Sequence, residues 1–213
     1  MAAKKGTENA KGQLPIPDFI DIDAGTVSAA KAGLNGGGAG WNIPEDVAVR
    51  SKDGKNGEQH WRWPVAVTIE QAYRTVTKTG LLDAVIIVKA RPGMPNEGQK
   101  EFLHFYINMA VLAGTEKDAE KLKKHSGMTD NSVGAITTLL EAVELMPKSG
   151  GLKSSLLNMM FPAKGQPGAK SPLDGKSVIA NAHGTVKMVK DQTTGEENEE
   201  RRIQADSFSP EAD

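Results

Sequence analysis

Hydrophobic periodicity changes twice along this chain, and that change limits what it can fold into. Over residues 65–112 apolar side chains recur at every second position; between 115 and 160 they recur about every 3.6; from 176 the alternation returns. Alternation half-buries a strand, whereas the longer period half-buries a helix. The pattern therefore predicts three strands, a helical insertion and two further strands, a mainly β fold of the α+β kind.

The first strand is expected at about residues 65–78, with Val65, Val67, Ile69 and Tyr73 on one face and Glu70, Arg74 and Lys78 on the other. Lys78-Thr79-Gly80 turns it into residues 81–91, where Leu82, Ala84, Ile86 and Val88 oppose Val85, Ile87, Lys89 and Arg91. The stretch from Pro92 to Gly98 holds two prolines and two glycines and closes a hairpin onto residues 101–112. In this third strand Leu103, Phe105, Ile107, Met109 and Val111 alternate with Phe102, His104, Tyr106 and Asn108.

Thr115 is placed to cap a helix over residues 116–125, and a second helix is expected over 131–146, stopping at Pro147. A third short helix fits 152–161. Strands four and five are expected at 176–190 and near 201–208, joined through Gln192-Thr193-Thr194-Gly195.

The 213 residues support one decorated domain or two very small ones at roughly 150 residues per domain. Residues 1–40 end in Gly33-Leu34-Asn35-Gly36-Gly37-Gly38-Ala39-Gly40 and read as an arm and linker, carrying a short apolar patch of Ile16, Phe19, Ile20 and Ile22. The body then runs from 41 to 208 with its helical insertion at about 115–161, and 209–213 form a short acidic end. Lys52-Asp53-Gly54-Lys55-Asn56-Gly57 has the composition of a hairpin tip. With 26 basic and 27 acidic side chains the net charge is -1, which excludes polyanion binding by bulk charge and leaves only local patches. No apolar run reaches the ~18 residues of a membrane span, and the first residues lack an export signal. There is no cysteine to form disulfides, thiolate nucleophiles or Cys-based zinc sites, so a cytoplasmic setting is expected.

Motifs of known chemistry fail on spacing. Gly175-Lys176-Ser177 lacks the glycine a P-loop needs five positions earlier, where Lys170 stands, and it leads into a strand instead of a helix. The glycine run before Trp41 has neither the dinucleotide spacing nor a strand before it. His60, His104, His125 and His183 form no zinc pattern, and no serine sits in a Gly-x-Ser-x-Gly elbow. A non-catalytic protein without metal or cofactor is expected.

The third strand departs from an ordinary half-buried pattern. Its outer positions carry Phe102, His104 and Tyr106, where polar side chains are usual. Flat rings on a sheet can stack on nucleic-acid bases while nearby cations follow the phosphates. Arg74, Lys78, Lys89 and Arg91 are placed to flank the row if the strands pair as the turns suggest. The competing use is packing, with Phe102 and Tyr106 covered by the helical insertion or by a tryptophan. Trp61 and Trp63 divide in the same way, between a stacking pair and a cap on the core's open end.

Three strands, a helix and two strands is the order of the OB fold, a five-stranded Greek-key barrel with helix between strands three and four. Thr77-Lys78-Thr79-Gly80, the strand from Phe102 to Ile107, Leu173-Asp174-Gly175-Lys176-Ser177-Val178-Ile179-Ala180, and the end Phe208-Ser209-Pro210 make the chain resemble phage-encoded single-stranded DNA-binding proteins. The resemblance covers about residues 65–210. It implies sequence-independent binding of single-stranded DNA in phage replication or recombination, inside an infected bacterial host. It also implies contacts by the barrel's basic and aromatic residues, here Trp61, Trp63, Arg74, Lys78, Lys89, Arg91, Phe102, His104, Tyr106 and Lys187. Replication or recombination proteins recruited by the acidic end, and a homo-oligomer, are the further partners it suggests; a membrane is not among them. Two other classes compete: an assembly protein that binds neighbours through the N-terminal arm, and an enzyme assembling His104, His183 and Asp83 across the fold.

Overall fold

The computed structural model describes residues 40–51, 54, 58–147, 151–190 and 195–211. The N-terminal arm and most of the 52–57 hairpin tip lie outside the described residues. In chain order the elements are β1 (Val49–Arg50), β2 (Gln59–Val76), β3 (Leu82–Ala90), β4 (Lys100–Ile107), α1 (Met109–Leu112), α2 (Ala119–Ala142), α3 (Ser154–Met160), β5 (Ser177–Lys190) and β6 (Glu197–Ser209). The protein is mainly β, and the three helices among the described residues are inserted between the third and fourth of the long strands.

All strand pairs are antiparallel, in the order β4-β3-β2-β5-β6, with β1 added against β2 at Val49–Arg62 and Arg50–Trp61. The sheet thus has six strands where five were expected, because the segment before the hairpin tip folds back onto an extended β2. It is also not closed: among the described residues no ladder joins β4 to β6. Helix α2 packs on both of these strands. It is fastened to them by the Thr138 hydroxyl, which accepts the Phe208 N–H at 3.0 Å, and by the Thr129 hydroxyl, which accepts that of Asn108 at 3.1 Å.

The core fills the space under that helix. Ile69, Ile86, Leu103, Ile107, Ile136, Leu139, Leu140, Leu157, Phe161 and Leu173 are fully buried, each contributing about 1.5–3 kcal/mol on transfer from water. Phe105 of β4 and Phe208 of β6 meet with ring centres 6.3 Å apart. Trp41 closes one end, its indole N–H donating to the Gln99 carbonyl at 3.2 Å and its backbone N–H to the Glu101 carboxylate at 2.9 Å.

Three local expectations are corrected. The third strand stops at Ile107, because Asn108 turns its side-chain oxygen onto the N–H groups of Ala110 and Val111 and caps α1. The two helices expected over 116–146 are one helix of 24 residues, capped by Asp118, not Thr115. Asp118 accepts the N–H groups of Glu120 and Lys121. The third correction bears on the site. Glu70 is an extra residue in β2, since the register passes from Ile69–Val88 to Gln71–Ile87. Such a bulge exchanges the two faces of the strand beyond it. Asp174 holds it by accepting the Ala72 N–H at 2.8 Å, while Gly175 N–H donates to the Ile69 carbonyl at 2.7 Å.

Candidate nucleic-acid interface

Pairing across β2, β3 and β4 lays the outer face out in rows. Thr75, Asp83 and Tyr106 form one row, Tyr73, Val85 and His104 the next, then Gln71, Ile87 and Phe102, and finally Thr68, Lys89 and Lys100. The inner partners Leu103, Phe105 and Ile107 point into the core, so the strand's alternation fixes Phe102, His104 and Tyr106 outward. Neither the helices nor a tryptophan covers them: Phe102 is 47% and Tyr106 36% exposed.

The row is braced from beneath. Asp83, buried on β3, receives the His104 Nδ1 proton at 3.0 and 3.2 Å from its two oxygens. The imidazole and the Tyr106 ring lie nearly parallel, 14° apart with centres at 5.9 Å. Tyr73 joins this face through the bulge, buried beneath the Lys164 ammonium, which stands 5.3 Å from its ring centre. Burial raises the phenol pKa of both Tyr73 and Tyr106, and the Asp83 charge adds to it; at Tyr106 the Arg202 charge opposes. Arg202 itself lies on β6, where it pairs with Glu200 at 3.5 Å. Burial likewise raises Glu101, against the backbone N–H groups of Trp41 and Phe102 and the charge of His104.

The cations separate into two groups. Lys89 is exposed in the row that ends in Lys100, which pairs with Glu70, and with Lys170 nearby they surround the Phe102 end. A shallow open depression of about 460 Å³ lies there, lined by Ile87, Phe102, Lys100 and Lys170 among others. Lys78 is exposed in the turn beyond β2, whose last pair is Val76–Leu82. Arg91 is paired with Glu211 from the C-terminal end. Arg74 is on the opposite face from the rings, displaced there by the bulge, and its guanidinium donates to the carbonyls of Phe161 and Asn158 at 3.1 and 3.4 Å.

The tryptophans belong chiefly to packing. Trp63 is 2% exposed and holds the core against Gly184 and Ile43. Trp61 is half-buried at the core margin with the Arg50 guanidinium 6.0 Å from its ring centre. Lys187 binds Glu200 at 3.0 Å on the β5–β6 ribbon, one outward step from the Thr185–Arg202 pair. His104 and Asp83 do meet, but His183 lies with His60 at 2.9 Å and Asp206 at 3.3 Å instead. Hydrogen bonding by His183 holds the Asp206 carboxyl below its usual range, although burial opposes this. Among the described residues, no three His, Asp or Glu side chains are grouped to hold a metal, and no helix is long and apolar enough to cross a membrane.

Sequence reasoning missed Tyr73 and Lys100. Tyr73 was concealed by the bulge, which leaves no mark in the periodicity. Lys100 follows from register alone, opposite Lys89. No protein-family model matches this chain, and no curated protein matches it.

Proposed function

We propose that the protein binds single-stranded DNA without base preference, through the outer face of β4 and β3, and does no chemistry on it. The observation that carries this is the uncovered row of three rings on β4, with His104 fixed by Asp83 and parallel to Tyr106. Cations lie at both ends of the row, Lys89, Lys100 and Lys170 beside Phe102 and Lys78 in the turn beyond the Tyr106 end. That layout suits bases stacked on the rings and phosphates tracked at the ends, each stacked base worth roughly 1–3 kcal/mol. The antiparallel order β4-β3-β2-β5-β6, with α2 set across the seam between β4 and β6, supports reading the sheet as an opened OB-like barrel. Replication or recombination in a phage-infected bacterium is the setting proposed. The Arg91–Glu211 pair supports a C-terminal end that contests the rim of the same face, and partner proteins would engage that end when DNA displaces it.

The test is fluorescence anisotropy of a labelled oligo-dT at low and high salt with duplex competitor. Binding that weakens steeply with salt and ignores duplex is expected. No binding at low salt would overturn the proposal.

A further inference from the structure

Helix α2 extends well past the body it packs on. Its first buried residue is Thr129, and residues 119–124, about 9 Å of helix, are exposed throughout, whereas His125, Ser126 and Met128 are partly covered. This overhang and the residue before its cap carry Lys117, Lys121, Lys123 and Lys124, all exposed. Elsewhere six cations have carboxylate partners, among them Arg62–Asp206, Lys100–Glu70 and Lys187–Glu200. Among the described residues these four lysines have none. Of the three acids in the stretch, Glu116 and Asp118 are spent on backbone N–H groups of the first turn, which leaves Glu120.

The placement also works against the helix. Cations in the first turns face the positive end of the helix dipole, and the last turn, where they would stabilise it, has none. Ion pairing does not account for them, and the one in the first turn, Lys121, stands beside Glu120. Their position does relate to the aromatic row. Asn108, two residues past Tyr106, is bonded through its N–H to Thr129, so the overhang begins where the row ends. Beyond Thr129 the helix carries Lys124 and Lys121 at about 7.5 and 12 Å of further rise.

We infer that the overhang of α2 is a second phosphate-binding segment, which takes the backbone of single-stranded DNA as it leaves Tyr106. This rests on the single-strand function proposed above and lengthens its site: strands too short to pass Tyr106 would not reach the lysines. The test compares labelled oligo-dT of about 8 and about 25 nucleotides, across a salt series, on wild type and on the variant Lys121→Gln/Lys123→Gln/Lys124→Gln. Glutamine is a good helix former and all three sites are exposed, so folding, checked by circular dichroism, is retained. The longer strand is expected to bind the variant about 5–30-fold more weakly, with its log–log salt slope reduced by about 2, at 0.7 per phosphate contact. The short strand should bind both proteins alike, and Lys→Arg at the same sites should restore the longer one. Unchanged binding of the longer strand by the folded variant, or equal losses at both lengths, would overturn the inference. Wild type binding neither strand is a separate outcome, which overturns the single-strand function and this extension together.

Discussion

The His104 imidazole on β4 rests on the Asp83 carboxylate of the neighbouring strand, with Nδ1 3.0 Å from one oxygen and 3.2 Å from the other. Asp83 is buried whereas His104 is exposed, so a covered carboxylate of the outer face anchors an open ring on the same face. A ring held in this way cannot swing freely, and ordering it for stacking costs correspondingly less entropy on binding. Tyr106, parallel to it, extends the same platform.

Replacing Tyr106 or Phe102 with Ala should weaken oligo-dT binding by about 1–3 kcal/mol each, roughly 5–150-fold, and leave the melting temperature nearly unchanged. Phe102 is 47% and Tyr106 36% exposed, and neither belongs to the hydrophobic core, so the fold is retained. Anisotropy together with a thermal melt separates the two effects; undiminished affinity in the folded variants would remove the row from the site.

Arg74 and Lys89 should behave oppositely. Arg74→Ala removes two hydrogen bonds from a charged donor to the α3 segment and should destabilise the fold by about 1–3 kcal/mol with no change in the salt slope of binding. Lys89→Ala should leave stability intact and reduce that slope by about 0.7. Urea melts and salt titrations of the two variants decide it.

Alkaline pH should loosen the sheet's outer face. Tyr73 and Tyr106 hold their phenol protons above the ordinary value of 10.0, through burial first and Asp83 second. A raised folded pKa means that the native state binds the proton more tightly than the unfolded chain. The corresponding stability is complete below about pH 10 and is lost as pH rises through the folded values. In Asp83→Asn both phenols should titrate nearer their ordinary value, as followed by ultraviolet absorbance of tyrosinate; an unchanged titration would contradict the assigned cause.

Gly184 is a packing constraint. A Cβ there would come within 2.8 Å of Ile43 and 3.1 Å of the Trp63 ring. Gly184→Ala should therefore cost about 1–3 kcal/mol by overpacking, measured as a lowered urea midpoint, while oligo-dT binding by the folded fraction persists.

Much of the sheet was legible because alternation is strong where one face is buried. β3 follows its expected course from Leu82 to Ala90, and the outward set Phe102, His104 and Tyr106 is correctly phased because nothing interrupts β4 before Ile107. What periodicity could not show were local polar interventions. Asp174 stabilises the bulge that sends Arg74 inward and Tyr73 outward, from about a hundred residues away in sequence. Asn108 ends a strand whose apolar alternation runs on through Met109 and Val111. The fate of Trp63 depended on Gly184 and Ile43 meeting it from two distant segments. The single helix α2 bridges the gap expected near Gly127 because Thr129 and Ser132 are buried and continue its packed face.

The most direct measurement is photochemical cross-linking of an oligo-dT bearing iodouracil, with the attached peptide identified by mass spectrometry. Attachment at Phe102, His104 or Tyr106 is predicted, lost when duplex replaces the single strand. Attachment confined to other segments, or none at all in low salt, would contradict the assignment of the β4 face as the base-stacking surface.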